Sequence, residues 1–244
     1  MTGITELDFA QGENLPVFPL EFAKLTSILE KTLNDLYSLR SSQVLSIDFR
    51  LTFETARPLL NSLTKWAECA PTLDTRDTLG GPENVASLYM AYHAIKILIF
   101  RALLRPFNQE TCQISPDNKA EWQAAKAHIR QAALLEIDAA LDLVSSLKAR
   151  DHQAFWAPWH KTSFALVTHL GFLLAVLSSK GAGETSNERP GGNENANYIE
   201  SRALLDKIRT VFRLHSKSLD IVKFALLRID AVFWMGWDRV LGLP

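Results

Sequence analysis

The sequence has little cysteine, almost no net charge and no long apolar run. Cys69 and Cys112 are its two cysteines in 244 residues. That excludes a disulfide-stapled scaffold and any zinc cluster built from thiolates alone, and fits a chain kept in a reducing compartment. A formal net charge of −1 leaves no overall field to gather nucleic acid or an anionic membrane. Eleven glycines and ten prolines are too few for a collagen-like or low-complexity chain. The opening MTGITELDFAQGENLPVFPLEF has neither early Lys or Arg nor an apolar stretch, so no signal or transit peptide is read there. The longest apolar stretch, Phe164 to Leu177, falls short of the roughly 20 residues a membrane-spanning helix needs. It also contains His169, and it reads as a buried core helix.

What the chain does have is apolar residues, 47% of the total against 22% charged, and enough length to bury a core. Their spacing is helical throughout. Phe22, Leu25, Leu29, Leu33 (or Thr32), Leu36 and Leu39 predict a helix over about 20–40, ended by Ser41-Ser42. Leu59, Leu63 and Trp66 predict a second, started by Pro58 and running to Cys69. After a turn-rich loop (74–82), Val85, Leu88, Tyr92, Ile95, Ile99 and Leu103 mark a strong helix that Arg105-Pro106 should stop. Ile129, Ala133, Ile137, Leu141 and Val144 mark another over 119–149, and Asp151 to Trp156 reads as a connector. Pro158 should open the apolar helix to about Ser179. Further helices are expected over 198–215 and 218–241. No alternating strand pattern is present.

The expectation is therefore an all-α fold. It comprises an acidic extended lead-in (1–19), a helical core (20–179), a disordered Gly/Pro-rich insert (180–197), and C-terminal helices (198–244) packing on the same core.

Searching for chemistry gives little. The six histidines form no HExxH or other ligand spacing, although His152 and His160 flank FWAPW and were candidates to meet. Asp138 and Asp142 share a helix face, but without the aspartate-rich repeat of metal-dependent helical enzymes. There is no nucleophile elbow, phosphate loop or dinucleotide fingerprint. The reading is no catalytic residue, no metal and no cofactor. Three groups remain as candidate effector or partner contacts. Arg101 and Arg105, four apart at the end of an apolar helix, suit an anionic effector, or alternatively cap carbonyls or pair with an acid such as Asp230. Trp156 and Trp159 can line a pocket or fill the core. Arg209 and Arg213 belong to a cationic arc with Arg202, Asp206 and Lys217.

Three segments carry a resemblance: LYMAYHAIKILIFRALLRPF (88–107), FWAPWHKTSFALVTHLGFLLAVLSS (155–179) and DIVKFALLRIDAVFWMGWDRVLGL (220–243). A long helix ending in Arg-Pro, an FWxxW-like element opening a buried helix, and a last helix with a Trp-containing end come in that order. The order resembles the regulatory domain of fungal zinc-cluster (Zn2Cys6) transcription factors over roughly 20–243. The resemblance implies control of transcription in the nucleus, through a small-molecule effector, other transcription regulators or self-association. The family's zinc cluster and coiled-coil linker have no counterpart in this sequence. The chain then corresponds to the C-terminal part of such a factor, a truncated product or a stand-alone relative, and specific DNA binding by this chain is not expected. The alternatives are a helical scaffold and a small helical enzyme acting on an apolar substrate.

Overall fold

The computed structural model describes residues 17–71, 85–108, 119–183 and 192–236. Among them are nine α-helices and no strand, so the chain is all-α. The expected loop at 74–82 lies outside the described residues, as do most of the lead-in and of the 107–116 loop.

The N-terminal third is three helices rather than two. α1 spans Val17–Tyr37 and α2 spans Leu39–Leu45; between them Ser38 turns the chain and its side chain accepts from the Ser41 N–H at 3.3 Å. The expected single helix over 20–40 breaks here because a serine can cap a new helix start. α3 (Phe49–Cys69) begins earlier than Pro58, which lies inside it. Asp48 caps α3, accepting from the N–H groups of Arg50 and Leu51. Thr52, Ala56, Leu59, Leu63 and Trp66 then form one buried stripe at alternating spacings of four and three. That continuous stripe offsets the ladder bond that Pro58 cannot donate.

α4 (Val85–Asn108) likewise runs through Pro106 instead of stopping before it. Its last turn is held by packing: Phe107 lies 4.4 Å from Trp122 and 6.2 Å from Phe49, ring centre to ring centre. α5 (Lys119–Ser145) follows. The expected connector then contains a short helix, α6 (Ala149–Gln153), where the Asp151 carboxylate accepts from the Lys148 N–H at 2.8 Å.

α7 (His160–Gly183) and α8 (Gly192–His215) both reach into the segment expected to be a disordered insert. Its flanks at 180–183 and 192–197 are helical, and 184–191 lies outside the described residues. α9 (Asp220–Met235) ends at Gly236, whose φ of 81° is readily adopted by glycine.

α4 and α7 form the centre. α4 packs against α1, α3, α5 and α7, and α7 packs also against α5, α8 and α9. Both are long and apolar enough to cross a membrane by length and composition alone, α7 over His160–Ser178. Here 67% and 61% of those windows are buried inside the helical assembly. Their apolar surface meets other helices, the arrangement burial of apolar area favours.

Candidate functional site

A concavity lies between α1 and the link from α6 to α7. It is a groove of about 660 Å³ lined by Phe18, Phe22 and Glu30 on α1, and by Phe155, Trp159 and His160 on the other side, among others. Its walls are aromatic. Phe22 sits 5.9 Å from Phe18, 5.4 Å from Trp159 and 6.5 Å from His160 between ring centres. The FWAPW sequence divides its rings between two tasks. Trp156 is buried, donates its indole N–H to the Asp151 carbonyl at 2.8 Å, and backs the His160 ring at 5.2 Å. Trp159 is 53% exposed and forms the groove's outer wall. The two Trp residues therefore separate, one structural and one facing the groove.

His160 opens α7 and is 1% exposed, and its Nδ1 has no hydrogen-bond partner among the described residues. Burial pushes this imidazole down to about 4, so it is neutral at physiological pH. It does not meet His152, which instead lies 3.1 Å from His215. The available signal for His160 is its position, an imidazole at the start of the helix that holds the longest apolar stretch, directly after Trp159.

Arg101 and Arg105 do share a face of α4, but their surroundings differ. Arg105 donates to the Leu36 carbonyl at 2.8 Å and lies 4.1 Å from the centre of the Tyr37 ring. It ties α4 to the end of α1, the carbonyl-capping alternative. Arg101 is half-buried and makes no ion pair among the described residues. Burial lowers its basicity, with Arg105 adding to the effect. Asp230 pairs with neither, because it is taken by the other arginine pair.

Arg209 Nε and Arg213 Nη2 both reach Asp230 Oδ1, at 2.6 and 3.0 Å, joining α8 to α9. Arg209 also covers the Phe233 ring at 4.3 Å. The cationic arc is thus engaged along part of its length in holding two helices together. Asp138 is paired with Lys207 at 2.7 Å. Among the described residues no group of three or more His, Cys, Asp or Glu gathers as a metal site would require.

Two features were not read from the sequence. Glu136 is buried on α5 between His93 and Lys96 of α4. Its signal was available: it lies on the buried stripe of Ile129, Ala133, Ile137 and Ala140, where a charge is out of pattern. The second is an apolar stripe on α9. Phe224, Leu227, Trp234 and Met235 fall on one helix face and are exposed, Trp234 by 86%. Trp234 belongs to the Trp-containing end of the last helix; Trp237 lies outside the described residues.

In comparisons with known proteins, no family model and no solved structure matches the chain significantly.

Proposed function

We propose that this chain is the regulatory module of a fungal zinc-cluster type transcription regulator, acting in the nucleus. In this reading it performs no chemistry. Occupancy of a site by an effector or partner favours one packing of the helices, and that packing sets transcriptional output. The groove between α1 and the α6–α7 link carries the proposal. Its volume is that of a small-molecule site, its walls are aromatic, and it adjoins the helix that contacts α4, α5, α8 and α9. The ordered segments quoted above, from the Arg-Pro helix to the Trp-ended helix, supply the link to transcription.

A second reading, a helical interaction scaffold, is favoured by the exposed stripe of Phe224, Leu227 and Trp234, which a partner helix would cover.

One experiment separates the two. The full chain is fused to an unrelated DNA-binding domain in a fungal cell, and reporter output is followed across nutrient conditions. The regulatory reading expects output that changes with nutrient state and that Trp159→Ala weakens. A folded, well-expressed fusion that is inert in every condition favours the scaffold.

A further inference from the structure

We infer that the groove beside His160 binds a small, uncharged, largely apolar molecule carrying one hydrogen-bonding group, which the imidazole receives. The inference rests on reading the groove as the module's effector site and names the class of effector.

The volume is the first constraint. About 660 Å³ falls within the range of small-molecule sites. The rings of Phe18, Phe22, Phe155 and Trp159 give the lining an apolar, planar-ligand character. The second constraint is polar. The His160 ring is 1% exposed, lines the groove, and leaves Nδ1 without a partner among the described residues. An unsatisfied buried nitrogen is costly, and a small turn of the ring would present it to a ligand hydroxyl or carbonyl in the groove and relieve that cost.

The third constraint is charge. Among the described residues no Lys or Arg lines the groove, so an anion there would meet no counter-charge from them. The lining carboxylate, Glu30, is exposed and stands eight residues beyond Phe22 on α1. That is about 12 Å along the helix from the ring that meets His160, and Glu30 faces solvent, so its charge is screened at the His160 end. An uncharged head remains.

The test uses four probes with one ring system: naphthalene, 2-naphthol, 2-naphthoate and protonated 2-naphthylmethylamine. Each is titrated into the full chain at pH 7.5, read by tryptophan fluorescence and by the His160 ring resonances of histidine-labelled protein. The expected result is that 2-naphthol binds at least tenfold tighter than the other three, and that it alone shifts the His160 ring nitrogens. His160→Phe should reduce 2-naphthol to the affinity of naphthalene and leave naphthalene unchanged. Ala23→Trp fills the groove from an exposed position of α1 and should abolish binding of all four without moving the thermal transition.

Equal or tighter binding of either charged probe overturns the inference. So does an undiminished 2-naphthol advantage in His160→Phe, or no binding of any probe up to millimolar concentration. Failure of the regulatory reading looks different: 2-naphthol binds as expected while the reporter fusion ignores it. A nutrient-responsive fusion whose purified chain binds none of the probes overturns the ligand class alone.

Discussion

Glu136 of α5 places one carboxylate oxygen 2.7 Å from His93 Nδ1, and its other oxygen lies 2.5 Å from Lys96 Nζ. This is a bridge between two central helices, in which a 4% exposed side chain holds two partners one turn apart on α4. Burial alone would lower the Lys96 amine, but the charge and hydrogen bond of Glu136 outweigh it and raise the amine above its ordinary value. Removing one member of such a group leaves a buried charge uncompensated. Glu136→Ala should cost about 3–5 kcal/mol in urea unfolding. Lys96→Met together with Glu136→Leu and His93→Leu should recover most of that loss. If Glu136→Ala unfolds at the wild-type midpoint, the bridge contributes nothing.

The histidines set the acid limit of the fold. Burial pushes His160 from 6.5 down to about 4. Burial and the charges of Arg101 and Arg228 lower His169, and burial and the neighbouring His152 lower His215. Each lowered imidazole resists protonation when folded but accepts a proton at the ordinary pH once unfolded. The unfolded chain thus binds more protons below pH 6.5, and stability falls as pH drops from there toward 4. His160 alone accounts for about 3 kcal/mol over that interval. Unfolding free energies measured between pH 8 and pH 4 should fall in this window, and His160→Phe should flatten part of the slope. An unchanged slope in the variant would show that His160 is protonated as easily in the folded chain.

Trp156 and Trp159 should separate by stability. Trp156→Ala removes a buried ring and its N–H bond to the Asp151 carbonyl and should cost about 3–5 kcal/mol. Trp159→Ala, at a half-exposed wall, should cost less than about 1 kcal/mol. Thermal melts of both variants give the comparison, and similar losses would put both rings in the core.

Arg101 and Arg105 should separate as well. Arg105→Leu loses the bond to the Leu36 carbonyl and the contact with Tyr37, and should destabilise by about 1–3 kcal/mol. Arg101→Met replaces a half-buried cation that makes no ion pair among the described residues, so it should be neutral or slightly stabilising. If Arg101→Met unfolds more easily than Arg105→Leu, the assignment of the structural role is reversed.

Much of the architecture was readable from apolar spacing, because a helix that buries one stripe must repeat it at three and four. The departures share a cause. Pro58 and Pro106 read locally as boundaries, yet the Thr52–Trp66 stripe and the Phe49–Phe107–Trp122 cluster carry the helices through them. Tertiary packing overrode a local penalty that spacing alone does not weigh. The site was legible to the level of a segment. FWAPW was picked out, but which ring faces the core depends on where α1 crosses, and α1 is more than a hundred residues away in the chain. The Arg209–Asp230 and His152–His215 pairings are long-range in the same sense. Glu136 is the exception: its place on an apolar stripe was local information.

Gly171 sits midway along α7, where a β-carbon would come within 2.9 Å of Ile208 Cδ1 and 3.0 Å of Leu205 Cδ2 on α8. The missing side chain acts as a keyway. Two branched residues of α8 seat on bare backbone, and the two rods are locked in register with no cushion of side chain between them. Such a joint has no backlash. Any side chain added at Gly171 would push α8 away, and α8 carries the Arg209 and Arg213 clasp on Asp230 that holds α9.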